Sequence, residues 1–414
     1  MSKSRAIVLY LHVHQPYRVR DYSIFDAGHD HNYFFDSNYH ARTGNEQILH
    51  KVAAKSYIPT NRKLLEILKR HPEFKLSLSI TGTVLEQLEM WSPEALQSFK
   101  DLIATGRVEV LAETYYHSLA FFYSRFEFEK QVRMHHDKVR QLFGVDPTAF
   151  RNTELSYNND LAAWADQAGY KAIITEGWDP VLGWRSPNFV YKPRYADGDI
   201  RLLMKNYRLS DDIAFRFSDK SWKEWPLTAE KFTHWVNALD ESQTNIDLFM
   251  DYETFGEHQW SETGIFDFLE HLPSEFLKHE GNTFMTITEA ATAFEPADAV
   301  DAPQTITWAD AERDLTAWTG NAMQQQALNE LYALENDVLG SGDKHLIEDW
   351  RRLQTSDHVY YMCTKWFSDG DVHAYFSPYE SPYDGFIAFS NALRDIRLRA
   401  LQAKEGGKKK WHDQ

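Results

Sequence analysis

Cysteine is nearly absent from this chain of 414 residues, and Cys363 is the single one. One thiol excludes an intramolecular disulfide and a zinc site built from several cysteines, which favours a reducing compartment. Long apolar runs are lacking as well. The first run is interrupted by His12 and His14, so it is too short for a membrane span or a signal peptide. The sequence therefore predicts a soluble, cytoplasmic protein.

Positive charge is also scarce, since 44 Lys and Arg face 61 Asp and Glu and the net charge is −17. This balance argues against broad nucleic-acid binding and against an anionic membrane surface as partner. Neither a G-x-G-x-x-G pattern nor a P-loop occurs, so no nucleotide cofactor is expected. Neutral and cationic ligands remain open, and the oligomeric state is not predicted.

Aromatic residues, in contrast, are abundant: 13 Trp, 21 Tyr and 26 Phe make up 14% of the chain. Flat rings with a polar edge suit sugar faces and protein interfaces, and a large core also uses them. Composition alone leaves these alternatives open.

Apolar runs and amphipathic helices alternate about seven times in the first part of the chain. Strands are predicted at 6–13, 76–80, 108–110, 172–174, 202–205 and 246–250, with 284–287 as one more. A further strand, the fourth in order, is predicted to end in AFRNTELSYNN at 149–159. Polar clusters follow nearly every strand, which favours a parallel (β/α) barrel over an open sheet because ligand-binding residues of barrels lie at the carboxyl ends of their strands.

A domain boundary is predicted at 294–305, which is rich in Pro, Ala and Asp and poor in large apolar residues. Residues 1–295 would form the catalytic barrel and 306–414 a helical domain that contributes to the active-site cleft. In the second range, apolar residues recur at helical spacing, for example from Met323 to Leu334. An aromatic loop at 365–386 is expected to interrupt these helices.

The polar clusters at the strand ends permit two chemistries. Two of the carboxylates at the strand ends could act as a glycosidase pair. Alternatively His12 and His14, which face the same side of a strand, could hold a metal together with an acid. The spacing of these residues does not decide between the two.

Five motifs in order resemble those of glycoside hydrolase family 57, in particular its α-amylase branch. They are HQP at 14–16, RVEVLAET at 107–114, FRNTEL at 150–155, MDYETFGEH at 250–258 and WADAERDLTAW at 308–318. Each motif alone is weak, but five in order are specific. The resemblance implies a distorted, TIM-like (β/α)7 barrel followed by helices, a retaining attack on α-1,4-glucan or maltooligosaccharides, and no catalytic metal or other cofactor.

The resemblance also implies roles for single residues. Glu154 would be the nucleophile and Asp251 the acid/base. Substrate-binding roles would fall to His12, His14, Glu113, His117, Arg151, Trp308, Asp314 and Trp318. Of these, Trp308 is expected to stack on a sugar ring.

Electrostatics give a further expectation for the two acids. Ionised Glu154 nearby should raise the pKa of Asp251, as a general acid requires. Arg151, three residues from Glu154, could help to keep the nucleophile charged.

Three alternatives to an α-amylase remain. Within the same family, a 4-α-glucanotransferase or a branching enzyme would use the same residues and differ in the acceptor. A metal-dependent hydrolase, such as a polysaccharide deacetylase or a zinc mannosidase, would require bound metal. A non-catalytic glucan-binding protein would keep the cleft and release no product.

Overall fold

The computed structural model describes residues 5–38, 41–365 and 375–412, with side chains up to 404. It divides into two compact units. The first unit comprises 1–14, 49–113 and 132–308, and the second comprises 15–48, 114–131 and 309–414. Part of the aromatic loop predicted at 365–386, namely 366–374, lies outside the described residues.

All β-strands of the described residues belong to the first unit. They are β1 Ala6–Val13, β2 Leu76–Ile80, β3 Val108–Val110, β4 Ala149–Arg151, β5 Ala172–Glu176, β6 Lys192–Pro193, β7 Arg201–Lys205, β8 Asn245–Asp251, β9 Thr283–Phe284 and β10 Ala299–Val300. Every residue of β1 is buried, as expected for an uninterrupted apolar run with both faces covered.

The strands pair in parallel throughout the described residues. One sheet has the order β3-β2-β1-β8, with β9 beside the start of β1, a second has the order β4-β5-β7, and β10 pairs with β6. A parallel bridge from Ala112 to Phe150 links the end of β3 to β4. The backbone N–H of Asn206, just after β7, donates to the carbonyl of Asp247 in β8 at 2.8 Å.

The inward-facing side chains of the two larger sheets pack into a single cluster. Val8, Tyr10 and Phe249 come from the first sheet, and Ile174 and Leu203 come from the second. These residues alternate along their strands, so the opposite face of each strand remains free to pack on helices. An α/β fold with parallel sheets is therefore confirmed, whereas closure into a seven-stranded barrel stays a prediction.

The helices flank and follow these strands. They span Asn45–Val52, Ile58–Arg70, Gly82–Trp91, Pro93–Ile103, Arg125–Phe143, Asn159–Gln167, Asp179–Leu182, Tyr207–Ala214, Ala229–Asn237, Ile265–Phe276, Ile287–Ala293, Thr316–Thr319, Ala322–Ala333, Glu335–Gly340, Lys344–Arg352, Ser356–Tyr360 and Pro382–His412. In the part of the chain that the structure describes, none of them is long and apolar enough to cross a membrane.

Two expectations about the end of the first unit were wrong. The strand predicted at 284–287 is limited to Thr283–Phe284, because Thr286 caps the helix Ile287–Ala293 in a capping box with Glu289. The domain boundary predicted at 294–305 comes too early, because this segment belongs to the first unit, which extends to Trp308. The segment contains β10, which pairs with β6, and it leads to Ile306, which pairs with Tyr157.

The predicted range 1–295 for the first domain also needs correction, because 15–48 and 114–131 belong to the second unit. Asp395 of the last helix is fully buried, and its carboxylate accepts bonds from the N–H of Gly28, from the His31 ring and from the Tyr33 hydroxyl. These contacts join residues more than 360 positions apart, which no local pattern reveals.

Candidate active site

Charged side chains of the first unit converge at the carboxyl ends of its strands. β1 and β8 run in register with His12 opposite Asp251. Glu176 and Lys205 are the last residues of β5 and β7. Because the carboxyl ends of neighbouring parallel strands share one edge of a sheet, this edge collects the polar groups of the unit.

His12 lies between two carboxylates. Its Nε2 is 3.3 Å from an oxygen of Glu113, and its Nδ1 is 3.7 Å from an oxygen of Asp251. The histidine is only 2% exposed, so both ring nitrogens are occupied inside the protein. His14 stacks on the His12 ring at 5.8 Å and bonds through Nδ1 to the hydroxyl of Thr81 at 2.9 Å.

Glu113 and Arg151 form a buried pair behind His12. The Nη1 of Arg151 is 3.4 Å from the same Glu113 oxygen that faces His12, and neither side chain is exposed to solvent. Both residues were predicted to bind substrate. Both side chains are completely buried in this structure, so their contact with a sugar stays a prediction.

Glu154 sits on a backbone turn that few residues adopt. Its φ is +62° and that of Leu155 is +50°, within the short 3-10 turn Thr153–Leu155 that follows β4. Such left-handed backbone is costly for residues with a side chain and clusters at functional sites. The side chain of Trp308 donates from Nε1 to the Glu154 carboxylate at 2.9 Å, and the Trp308 backbone N–H donates to the Glu154 carbonyl at 3.2 Å.

The pKa of Asp251 differs from the sequence-based expectation. Burial of the carboxyl raises this pKa, but the contact with His12 and the positive charges around it, that of Arg151 included, outweigh burial and leave the pKa below its ordinary value. Ionised Glu154 was expected to raise it. The expectation was wrong because it considered the other acid and overlooked the bases that surround Asp251.

The remaining acids of the motif at 250–258 have structural partners. Glu253 accepts a bond from the hydroxyl of Tyr57, and Glu257 forms an ion pair with Lys51. His258 is buried, which lowers the pKa of its ring despite the opposing charge of Asp251. These contacts hold the segment that follows β8 and so fix the direction of Asp251.

Three of the predicted site residues belong to the second unit. His117 has a φ of +51°, and its carbonyl accepts a bond from the N–H of Ser356. The carboxylate of Asp314 accepts bonds from the N–H and hydroxyl of Thr316, the first residue of the helix Thr316–Thr319. Trp318 is 1% exposed and packs against Tyr360, so its ring serves the core of that unit. The expected contact of the Trp318 ring with sugar finds no support in this packing.

Lys205 lies close to Trp308 but was not among the residues predicted for the site. It is 5% exposed, and its Nζ lies 3.2 Å from Asp211, 3.6 Å from Glu176 and 5.7 Å from the centre of the Trp308 ring. The strand that ends in Lys205 was predicted, but no motif surrounds it. Its position at the end of a strand was the only available signal.

Known proteins resemble this chain at the level of family and fold. The sequence profile of glycosyl hydrolase family 57 matches residues 8–303. A protein of Methanocaldococcus jannaschii, named provisionally as an α-amylase, is 40% identical over 405 residues, which cover 95% of this chain and 84% of that protein. The α-amylase of Pyrococcus abyssi is 24% identical over 66% of this chain and 40% of its own length.

Two solved structures show the same fold. A branching enzyme of Pyrococcus horikoshii superposes with a TM-score of 0.67 at 16% identity, covering 87% of this chain and 86% of its own. An α-amylase of Thermotoga maritima superposes with a TM-score of 0.61 at 13% identity and covers 97% of this chain and 93% of its own.

Proposed function

This chain belongs to glycosyl hydrolase family 57, and on that premise we propose that it cleaves α-1,4-linked glucan or maltooligosaccharides with retention of configuration. The proposal rests on the way in which the structure restrains the backbone and the carboxylate of Glu154. A left-handed turn orients its backbone, and Trp308 bonds both its carbonyl and its carboxylate. A surface glutamate with no function has no need of such restraint.

The proposed reaction has two displacements. In the first, the Glu154 carboxylate forms a bond to the anomeric carbon while the bond from that carbon to the leaving oxygen breaks. Asp251 gives its proton to that oxygen. In the second, ionised Asp251 takes a proton from water, and the resulting attack on the anomeric carbon releases Glu154.

The lowered pKa of Asp251 fits its second task, in which the group acts as a base. The first task requires the protonated form. The side chain of Asp251 is 38% exposed, and a sugar that covers this part removes water from the carboxyl. Loss of water favours the neutral acid, so substrate binding itself would prepare Asp251 to donate.

We also propose that the two larger sheets close into a distorted (β/α)7 barrel. Their shared core, the bridge from Ala112 to Phe150 and the bond from Asn206 to Asp247 support this closure. A closed barrel would place Glu154, after β4, and Asp251, at the end of β8, on the same rim. Both groups could then reach one glycosidic bond.

The molecule that accepts the sugar in the second displacement decides whether an enzyme of this kind is a hydrolase or a transferase. Some are named α-amylases and others 4-α-glucanotransferases. Water as the acceptor gives only shorter saccharides, whereas a sugar hydroxyl also gives longer ones. We propose hydrolysis, because a relative that matches 95% of this chain carries the α-amylase name.

The first test is product analysis with maltoheptaose. We expect only shorter maltooligosaccharides from the wild-type protein, with and without EDTA. Glu154→Gln should reduce turnover by about 10³-fold or more, as loss of a catalytic nucleophile does in other hydrolases. Glu73→Gln, which changes an exposed carboxylate of the same unit, is the matched control and should keep wild-type activity.

Other outcomes would contradict the proposal in distinct ways. Longer products beside shorter ones would indicate a transferase. Loss of activity in EDTA would indicate a metal-dependent hydrolase. Saccharide binding without any product would indicate a binding protein, and full activity of Glu154→Gln would reject the nucleophile.

A further inference from the structure

The indole of Trp308 lies close to one carboxylate and two cations. Its N–H donates to the Glu154 carboxylate at 2.9 Å. Two cations approach the ring: the guanidinium carbon of Arg151 at 5.2 Å and the Nζ of Lys205 at 5.7 Å from its centre. Both distances lie within the range of about 6 Å over which cations are attracted to aromatic faces. We call Trp308, Arg151 and Lys205 the Trp308 bracket.

Lys205 reaches this position at an energetic cost. Burial of an ammonium group is unfavourable unless carboxylates or other acceptors surround it. Asp211 at 3.2 Å and Glu176 at 3.6 Å supply that compensation. The two acids therefore compensate an ammonium group at Lys205, and they come from β5 and from the helix Tyr207–Ala214.

We propose that Lys205 is a positioning residue for the nucleophile and that it acts through the indole of Trp308. The inference rests on the proposed function, since it concerns the same carboxylate. It gives Trp308 a task other than stacking on sugar, namely to orient Glu154 with its N–H. Lys205 has no direct part in the chemistry.

The charge of Lys205 affects the Glu154 carboxylate in two steps. A cation close to an indole face draws electron density from the ring, which makes the ring N–H a stronger donor. A stronger donor stabilises the ionised carboxylate that accepts from it. The bracket thus favours the attacking form of Glu154 and fixes the position of its carboxylate.

The same bond assists the second displacement. In the glycosyl-enzyme, the Glu154 oxygen that is bonded to sugar carries no full charge. When water attacks, the bond between sugar and Glu154 breaks and the electron pair returns to the carboxylate. The N–H of Trp308 then stabilises the restored charge on the leaving group.

The test uses three variants of the full chain. Lys205→Met removes the charge and keeps the length, Lys205→Arg keeps the charge, and Trp308→Phe keeps an aromatic ring without N–H. We expect Trp308→Phe to lower kcat by about 10-fold to 100-fold, the effect of losing a hydrogen bond to a charged group. Lys205→Met keeps this bond and only weakens it, so its kcat should fall by less, about 2-fold to 10-fold. KM should change little, and Lys205→Arg should retain most of the activity.

The pH profile separates positioning from a general loss of structure. A weakened donor in Lys205→Met and a missing donor in Trp308→Phe both make the ionised form of Glu154 less favoured, so the acidic limb of kcat/KM should move to higher pH in both variants, and further in Trp308→Phe. Lys171→Met, an exposed lysine of the same unit, is the matched control and should keep the wild-type profile.

Several outcomes would overturn the inference. A raised KM with unchanged kcat in Trp308→Phe would show that the ring binds sugar. An unmoved acidic limb in both variants would show that the bracket does not act on Glu154. An acidic limb that moves in Trp308→Phe but stays in place in Lys205→Met would show that the indole acts on Glu154 without Lys205. Should Lys205→Met fail to fold, Lys205→Gln removes the same charge and takes its place. Full activity of Glu154→Gln, in contrast, would reject the proposed function itself.

Discussion

At the scale of single residues, the protonation of Asp251 depends on His12. The Nδ1 of His12 is 3.7 Å from the Asp251 carboxylate, which is longer than a hydrogen bond, so the contact is mainly electrostatic. Burial alone would raise the pKa of Asp251, and the contact with His12 is the largest of the opposing effects. Removal of that contact should therefore raise the pKa of Asp251.

His12→Phe provides the test, because it removes both ring nitrogens and keeps a ring of similar size. A general acid with a higher pKa stays protonated to higher pH, so the basic limb of the activity profile should move to higher pH. The measurement is kcat/KM over the pH range of activity. His279→Phe, at an exposed position, is the control. A basic limb that stays in place or moves to lower pH would contradict this account of Asp251.

The sequence identified some residues of the candidate site more readily than others. Glu154 and Asp251 lie in short motifs that follow apolar runs, so the local sequence was enough to identify them as candidates. The bond between Trp308 and Glu154 joins positions 154 residues apart, and only the fold brings them together. The partners of Lys205 come from other segments in the same way, which is why its role could not be predicted.

At the scale of elements, residues at the ends of the helices explain where several helices begin and end. Proline lies at the start of Ile58–Arg70 and of Pro93–Ile103. Gly144, with a φ of +69°, ends the helix Arg125–Phe143. The capping box of Thr286 was overlooked, because Phe284 to Ile287 also fits a short apolar strand.

Thr286→Ala tests how much this cap contributes. The Thr286 hydroxyl accepts a bond from the N–H of Glu289, and the Glu289 carboxylate accepts one from the N–H of Thr286. Loss of the cap should reduce the free energy of unfolding by about 1 kcal/mol. Thr292→Ala, within the same helix and exposed, is the matched control and should change stability by less than about 0.5 kcal/mol. Urea denaturation gives both values, and equal losses in the two variants would contradict the capping role.

At the scale of the whole molecule, the chain forms its units from segments that are distant in sequence. The change from strands to helices near residue 306 was predicted correctly, because hydrophobic periodicity changes there. The membership of 15–48 and 114–131 in the second unit was not predicted. Contacts between residues far apart in sequence, such as that of Glu127 with Arg351, join these segments to that unit. Such contacts leave no periodic trace in the sequence.

The ion pair of Glu127 and Arg351 offers a test of this division. The Glu127 side chain is fully buried, and both of its oxygens accept bonds from Arg351, at 2.8 Å and 3.0 Å. Glu127→Gln removes the carboxylate that pairs with Arg351 and leaves the charge of Glu335 as partial compensation, so the second unit should lose about 3–5 kcal/mol of stability. Hydrogen exchange should accelerate at 15–48 and 309–365 and change much less at 76–113.

The matched control is Glu330→Gln, which removes the partner of Arg397 from an exposed ion pair of the same unit. Exposed pairs contribute about 0–1 kcal/mol, so hydrogen exchange should stay close to that of the wild type. Equal acceleration of exchange in both units of Glu127→Gln would show that they unfold together. The two units would then form one cooperative structure, and a single buried ion pair would stabilise the strands of the first unit as well as the helices of the second.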